Sequence, residues 1–230
     1  MGRAGLAIAP PESEDELRER AAWLAGRTVG ELAAALGVAV PPVGARGKGK
    51  VGDLVERVLG GESGSTAAPD FARLGIELKT IPVDLRGVPP ESTFVCTISL
   101  ADADRAEWET SVACAKLRHV LFVPIVVAPD DSALDRRIGT PLFWRPTRRQ
   151  ETILRADFED AMGIIGAGGI EALTARSGRW LQVRPKAATG SVRTISFGPE
   201  GEWIATVPRG FYLRATFTRA LLADPTATPP

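Results

Sequence analysis

Asp70, Glu77 and Lys79 are the residues of this sequence whose types and spacing could carry out a reaction. Asp70 precedes a β-branched-rich run at residues 76–83, which predicts a strand that carries Glu77 and Lys79. Side chains alternate along a strand, so Glu77 and Lys79 face the same side, and we expect that side to be open. Asp70, in the segment that leads into the strand, can then lie beside Glu77.

Two carboxylates and an ammonium group at one point suit the hydrolysis of a phosphodiester. Carboxylate oxygens are the hard ligands that Mg²⁺ prefers. A bound Mg²⁺ lowers the pKa of a water molecule, and a nearby lysine can orient that water or stabilise the developing negative charge. The same spacing also fits a weak, solvent-exposed ion pair on a strand, with Asp70 capping a turn. The three residues alone therefore leave both interpretations open.

The elements that must position these residues are helical at first and strand-rich afterwards. Capping patterns at residues 13–16 and 28–31, with Gly37 as a C-cap, predict two helices, and a third is expected at residues 51–59. Residues 60–69 are rich in Gly, Ser, Thr and Ala and are interpreted as a mobile linker. The later elements are predicted as strands at 76–83, 93–100, 119–128, 180–183 and 203–207, with helices at 150–165 and 216–222.

This order predicts a mixed α/β protein. We expect a single domain at residues 1–230, with a helical lobe at about 1–69, a sheet-centred lobe at about 70–224 and a frayed tail at 225–230. Two lobes around a cleft fit that division.

Composition limits the class of protein further. Lys and Arg number 28, as do Asp and Glu, so the net charge is zero, which argues mildly against a protein that coats DNA but permits a local basic cleft. Two cysteines and one histidine are too few for a disulfide framework or a structural zinc site. We find no signal peptide and no apolar run of the ~18 residues that a membrane span needs. A soluble cytoplasmic protein is expected.

Several separated blocks of the sequence resemble one family. Pro69-Asp70 followed by Glu77-Leu78-Lys79 matches a PD-(D/E)-x-K motif, and residues 70–83, DFARLGIELKTIPV, look like an active-site segment throughout. Residues 93–96, 108–111, 184–188 and 208–213 supply further blocks in the correct order. The chain, from Pro10 to about Leu222, thus resembles the MutH family of mismatch-repair nicking endonucleases. That family is a branch of the restriction-endonuclease-like superfamily, so the resemblance implies a mixed β-sheet flanked by helices, with two lobes around a DNA-binding cleft.

The resemblance implies a role for each candidate catalytic residue. Asp70 and Glu77 would hold Mg²⁺, and Lys79 would be the catalytic lysine. Glu56 looks like a further acidic residue of the site, and Lys116 looks like a second lysine near the first. Without the resemblance, Glu56 would be taken for a surface residue of a helix and Lys116 for a solvated lysine.

DNA contacts are expected in three segments. Lys48, with Lys50 and Arg46, lies in a loop rich in glycine and basic residues that could approach phosphates or stay solvated. The blocks that resemble base-reading loops carry the other candidates, which are Arg184, Pro185, Lys186, Arg209 and Tyr212. Arg and Lys can pair with guanine edges, and a close-packed Tyr212 could sense a methyl group on the adenine amino nitrogen. Phe211 is expected in the core.

The implied function is nicking of the unmethylated strand at hemimethylated GATC sites in mismatch repair. The implied partners are double-stranded DNA and the activator MutL, with MutS acting upstream, and we expect a monomer. The Pro- and Thr-rich tail departs from the family in the region that couples it to MutL.

Two alternative functions remain open. One is a GATC-specific type II restriction endonuclease, and the other is a non-catalytic DNA-binding module that reads methylation.

Overall fold

The computed structural model describes residues 8–38, 48–62, 67–174, 176–186 and 191–230. Within these residues the helices are α1 (Glu14–Leu24), α2 (Val29–Leu36), α3 (Lys48–Leu59), α4 (Val112–Leu117), α5 (Arg148–Gly166) and α6 (Ala215–Ala223). The strands are β1 (Glu77–Val83), β2 (Thr93–Thr97), β3 (Val120–Val126), β4 (Arg137–Ile138), β5 (Leu142–Trp144), β6 (Leu181–Pro185), β7 (Thr194–Phe197), β8 (Trp203–Thr206) and β9 (Arg209–Leu213). The mixed α/β class is confirmed, and a cleft between two lobes stays a prediction.

The chain divides into two compact units, each made of two separate segments. The first unit is Met1–Pro90 with His119–Arg145, and the second is Glu91–Arg118 with Pro146–Pro230. These bounds differ from the lobes expected at 1–69 and 70–224. The reason is that β1 pairs with β3, which lies beyond a long insertion that holds β2 and α4. Lobes predicted from the sequence are contiguous stretches, because no short pattern reveals that β1 pairs with a strand beyond the insertion.

Capping residues define the first two helices of the first unit. Thr28 and the third residue of α2 form a complete capping box, and Gly37 ends the helix with a φ of 63°, in the left-handed region that favours glycine. Ser13 caps α1 by accepting a hydrogen bond from the backbone of Glu16. The carboxylate of Glu16 accepts from Glu12 rather than from Ser13, so only half of the expected capping box forms at α1.

The sheet of the first unit is centred on β3. Strand β1 runs parallel to β3, with Glu77 opposite Val120, and β4 and β5 pair with β3 in the antiparallel sense. The first four residues of β3 are buried, which is typical of a central strand. Apolar residues of α1, α2, α3, β1 and β3 share one core, which includes Leu17, Leu32, Val55, Leu78 and Leu121. This core fixes α3 against β1.

The second unit contains an antiparallel sheet in the order β2-β9-β6 and a separate hairpin, β7-β8. Helix α5 confirms the helix predicted at 150–165, and its apolar residues Leu154, Phe158, Met162 and Ile165 are buried. Phe158 contacts Phe211 at a ring-centroid distance of 5.3 Å, so Phe211 lies in the core as expected. No helix in the described part of the chain could span a lipid bilayer.

The C-terminal tail is tied to the second unit, although a frayed tail was expected at 225–230. The side-chain amide of Gln150 donates to the carbonyl oxygens of Pro225 and Ala227, at 2.9 Å each. The indole nitrogen of Trp180 donates to the carbonyl oxygen of Pro229 at 3.2 Å. Proline has no backbone N–H group to donate, so the tail is held through its carbonyl oxygens, which accept these hydrogen bonds.

Two element boundaries also differ from expectation, and a third expectation falls partly outside the described residues. Helix α3 begins at Lys48, so Lys48 and Lys50 lie in its first turn and not in a loop, while Arg46 lies outside the described residues. The strand expected at 93–100 ends at Thr97, and a 3₁₀-helix covers Leu100–Arg105. Of the expected linker at 60–69, residues 63–66 lie outside the description.

Candidate active site and nucleic-acid interface

Asp70 is fixed beside β1 by a short turn. Phe71 and Ile76 exchange backbone hydrogen bonds across a 3₁₀-helix at Ala72–Leu74, and Gly75 closes it with a φ of 65°. The turn brings Asp70 back to the strand, where its Oδ2 accepts a hydrogen bond from the backbone nitrogen of Leu78 at 2.8 Å. The expected approach of Asp70 to the strand that carries Glu77 is therefore present.

Glu77 and Lys79 form an ion pair on β1, so the two side chains share a side as strand alternation predicts. The side chain of Glu77 is only 1% exposed, whereas that of Lys79 is 16% exposed. The expectation of an open face was therefore wrong for Glu77. The backbone nitrogen of Glu77 donates to the carbonyl oxygen of His119 at 3.0 Å, which places Glu77 at the start of the pairing with the buried strand β3.

A buried carboxylate needs a partner because desolvation disfavours its charge. Lys79 supplies that partner, and its partial exposure leaves the amine within reach of a ligand. The arrangement differs from the solvent-exposed ion pair that the sequence pattern left open. A pair held this way suits chemistry that needs fixed charges away from bulk water.

Glu56 lies in the last turn of α3, close to the chain that leads to Asp70. The backbone nitrogen of Gly61 donates to the carbonyl oxygen of Glu56 at 2.8 Å, and that of Glu62 donates to the carbonyl oxygen of Asp70 at 3.0 Å. Gly61 also lies against the side chain, since a Cβ built on it would be 2.3 Å from Cγ of Glu56. The structure thus joins the end of α3 to the backbone of Asp70.

The donor set of Asp70 and Glu77 fits a hard divalent cation such as Mg²⁺ in its chemistry. Both residues offer carboxylate oxygens, and Mg²⁺ takes one or two protein carboxylates while water and phosphate oxygens complete its shell. Among the described residues, no group of three or more His, Cys, Asp or Glu side chains is arranged to hold a metal ion. Two carboxylates are a sufficient protein contribution to a Mg²⁺ site when the substrate supplies phosphate oxygens.

Lys116 belongs to the second unit, on α4, a helix capped by the hydroxyl of Ser111. It is buried, with 6% of its surface exposed, so it is not the solvated lysine that the sequence would suggest without the family resemblance. Its approach to Lys79 stays a prediction.

Four residues of the sheet β2-β9-β6 and its margin form a surface that we call the aromatic-cation face: Phe94, Arg184, Lys186 and Tyr212. The rings of Phe94 and Tyr212 meet edge to face, with centroids 5.2 Å apart. The guanidinium carbon of Arg184 lies 5.7 Å from the centroid of Tyr212, and Nζ of Lys186 lies 4.1 Å from that of Phe94. Cations over aromatic rings attract electrostatically, so each ring helps to orient a positive side chain.

Gly210 allows these side chains to come together. A Cβ at this position would be 2.9 Å from Cε2 of Phe94 and 3.0 Å from the carbonyl oxygen of Cys96. The ring of Phe94 therefore packs directly against the backbone of Gly210. Arg184 is also held by a hydrogen bond of 2.6 Å from its Nη1 to the hydroxyl of Ser92.

Burial raises the pKa of Tyr212, and the positive charge of Arg184 opposes this effect only in part. The phenol therefore stays neutral and keeps its proton through the physiological range. A neutral phenol beside a guanidinium can donate a hydrogen bond while its ring packs against a base.

The remaining candidates in this unit take different positions. Pro185 and Arg209 are opposite each other in the β6-β9 ladder. Nη2 of Arg209 lies 3.3 Å from the carboxylate of Glu171, and the Arg209 side chain is only 11% exposed. Arg209 of β9 is thus paired with Glu171, which also accepts a hydrogen bond from Thr206 of β8.

Two residues escaped the sequence reasoning. Phe94 was placed in a family block without a role, and its contact with Tyr212 depends on strand pairing that the sequence does not reveal. Asp157 of α5 was given no role from the sequence. Its carboxylate accepts three backbone hydrogen bonds, from Arg179, Trp180 and Leu181, at 2.6–2.8 Å, and so anchors the start of β6. The sequence signal for this role was an acidic residue next to the apolar residues of the predicted helix at 150–165.

Comparison with known proteins identifies the family to which the chain belongs. Residues 59–157 match the family model described as the DNA mismatch repair enzyme MutH. The chain is 46% identical over 216 residues to the DNA mismatch repair protein MutH of Escherichia coli strain K12, covering 94% of each protein. It is 47% identical, with the same coverage, to the MutH protein of Escherichia coli O6:K15:H31. Identity at this level over almost the whole chain shows that the protein belongs to the MutH family of DNA mismatch-repair endonucleases.

Proposed function

We propose that this endonuclease uses Mg²⁺ to nick the unmethylated strand of hemimethylated DNA at GATC sites during mismatch repair. The observation that carries the proposal is the buried Glu77, paired with Lys79, on a strand whose backbone also fixes Asp70. Two candidate hard ligands and one cation therefore lie on β1 and on the segment that leads into it. Family membership supplies the substrate class.

In this proposal Asp70 and Glu77 hold the metal ion, which when bound polarises the phosphodiester and acidifies a water molecule. Lys79 orients the attacking water and stabilises the negative charge that develops on phosphate oxygens. The pairing with Glu77 keeps the lysine side chain in one position before substrate binds. Glu56 contributes further negative charge, and Lys116 further positive charge.

The aromatic-cation face selects the site. Arg184 and Lys186 present donors that match guanine acceptors in the major groove. Tyr212 packs against the adenine, where a methyl group on the amino nitrogen would change both shape and donor count. Phe94 supports this contact from the neighbouring strand. Pro185 and Arg209 shape the adjoining backbone, and Lys48 at the start of α3 contacts phosphate.

The assembly that we propose is a monomer that acts in the cytoplasm on double-stranded DNA. MutL activates it, and MutS acts upstream of that step. The C-terminal tail is held against the second unit by hydrogen bonds from Gln150 and Trp180. It is therefore the first segment to mutate in a test of MutL activation.

The test is incubation of the purified protein with Mg²⁺ and three plasmids that carry a GATC site in the unmethylated, hemimethylated or fully methylated state. We expect nicks in the unmethylated strand of the first two plasmids, stimulation by MutL, and no cutting of the third. Equal cutting of all three would overturn the methylation claim. Double-strand breaks without an activator would favour a type II restriction endonuclease, and metal-independent binding without cleavage would favour a DNA-binding module.

A further inference from the structure

The C-terminal end of α3 is held by Arg20 of α1. Nη1 of Arg20 donates to the carbonyl oxygen of Leu59, the last residue of α3, at 2.9 Å and to that of Ala9 at 2.7 Å. Nη2 bonds the carboxylate of Glu16 at 2.5 Å, which fixes the orientation of the guanidinium group. The last carbonyl groups of a helix lack partners within the helix, and a cation at this end is favourable. We call this set of contacts the Arg20 clamp.

Gly60 makes the clamp possible. Its φ is +80°, and a Cβ on it would lie 2.4 Å from the carbonyl oxygen of Ala9 and 2.7 Å from Nη1 of Arg20. Any other residue would meet both backbone strain and the clamp itself. The chain therefore turns at Gly60 directly under the guanidinium group.

The turn leads straight to the proposed metal ligands. Gly61 bonds back to the carbonyl oxygen of Glu56, and Glu62 bonds to the backbone of Asp70. Asp70 in turn bonds to Leu78, which lies between Glu77 and Lys79. An unbroken series of hydrogen bonds and covalent neighbours thus connects the Arg20 clamp with the carboxylates.

We propose that Arg20 is a positioning residue for Glu56 and Asp70, which sets how tightly the site binds a divalent cation. The proposal rests on the proposed function, which makes Asp70 a metal ligand and Glu56 a neighbouring acidic group. Arg20 itself touches neither substrate nor metal in this account. It holds the end of α3 so that the backbone of Asp70 is fixed before a cation arrives, and a loss of such support typically weakens metal binding.

A purely structural role for Arg20 would give a different result. It would lower the melting temperature and the active fraction of the protein at every metal concentration by the same factor. A positioning role shifts the metal concentration at which binding is half complete. The two roles are therefore separated by metal titration and not by activity at one condition.

The experiment compares wild type with Arg20→Ala and Arg20→Gln, and with Arg18→Ala as a matched control. Arg18 lies on the same helix and has the same kind of ion pair, with Glu14, but is not bonded to α3. Mn²⁺ binding to the DNA-free protein is measured by calorimetry, together with the Mg²⁺ dependence of nicking. Melting temperatures are recorded in parallel.

We expect Arg20→Ala to weaken Mn²⁺ binding and to raise the half-saturating Mg²⁺ concentration roughly tenfold, with the rate largely restored at high Mg²⁺. Arg20→Gln keeps a donor for the carbonyl oxygen of Leu59 and should lie near wild type, and Arg18→Ala should match wild type. Unchanged metal binding in Arg20→Ala, or an equal shift in Arg18→Ala, would overturn the proposal. If Arg20→Ala fails to fold, Glu16→Gln replaces it, because it removes the charge that orients the guanidinium group. A smaller shift in the same direction is then expected, and unchanged metal binding would overturn the proposal. If wild type does not nick GATC DNA, the proposed function fails, while the Mn²⁺ titration still decides the role of Arg20.

Discussion

The β1 strand and the aromatic-cation face hold their functional side chains in opposite ways. On β1, Glu77 is buried and paired with Lys79, and backbone bonds fix Asp70. On the aromatic-cation face, long cationic side chains rest on rings of the antiparallel sheet. The first region restricts its charges, while the second presents side chains that can adjust to a partner.

This difference follows from what each task requires. Charges that stabilise a transition state work best when they are already in place and shielded from water, since reorganisation is then avoided. Groups that read a base edge must be accessible and must tolerate the approach of a large ligand. Rings under Arg184 and Lys186 limit the freedom of these side chains without burying their donors.

The largest effect is expected from a change on β1. Glu77→Gln keeps the shape of the side chain but removes its charge, so we expect single-turnover nicking to fall about 10³-fold, or roughly 4 kcal/mol. DNA affinity in the absence of metal should change little, because the aromatic-cation face is intact. Quenched-flow nicking and a filter-binding assay measure the two quantities. Glu19→Gln, an exposed change in the same unit, is the control, and retention of activity by Glu77→Gln would exclude Glu77 as a ligand.

The next effect concerns the support of β6. Asp157→Asn removes the charge that accepts three backbone hydrogen bonds. Because hydrogen bonds to a buried charged group contribute more than neutral ones, we expect the free energy of unfolding to fall by about 3 kcal/mol. Urea denaturation followed by tryptophan fluorescence measures it. Asp160→Asn, an exposed change on the same helix, should be neutral, and equal stability of the two variants would contradict the anchor role of Asp157.

A smaller effect is expected from Arg184→Ala on the aromatic-cation face. It should reduce the preference for GATC over a site with one changed base by about 2 kcal/mol, since a good arginine-guanine contact contributes about that much discrimination. Competition between the two duplexes measures the preference. Arg176→Ala, at an exposed position of the same unit, tests whether any loss of positive charge has this result.

The smallest effect is expected from pH at Tyr212. Because burial raises the pKa of its phenol above the ordinary value of 10, the phenol stays protonated as the pH rises from 7 to 9. Discrimination between hemimethylated and fully methylated DNA should therefore stay constant over that range, in wild type and in Tyr212→Phe alike. A fall in discrimination near pH 8 in wild type alone would show that the phenol ionises early.

The sequence was sufficient for the parts of the site that depend on local rules. Strand alternation predicted that Glu77 and Lys79 share a side, and the position of Asp70 in the segment leading into the strand predicted that it comes near them. Alternation says nothing about whether a side is open, so the burial of Glu77 could not be predicted. That burial depends on the parallel pairing with β3, whose partner residues are more than forty positions away.

The sequence was less informative about the aromatic-cation face. The contact of Phe94 with Tyr212 requires β2 to pair with β9 and an irregularity between Phe94 and Cys96 to set the register. Such long-range pairing is not encoded in any short pattern. Likewise, the hydrogen bonds of the tail to Gln150 and Trp180 connect residues that are 49 to 77 positions apart, so composition alone predicted a free end.

We propose that β1 and Asp70 carry the chemistry, while the aromatic-cation face selects the site. The most direct test is the ratio of single-turnover nicking rates at GATC and at a site with one changed base, in wild type, Asp70→Asn and Arg184→Ala. We expect Asp70→Asn to slow both rates by the same factor and leave the ratio unchanged, while Arg184→Ala lowers the ratio. A ratio that falls as far in Asp70→Asn as in Arg184→Ala would contradict this division.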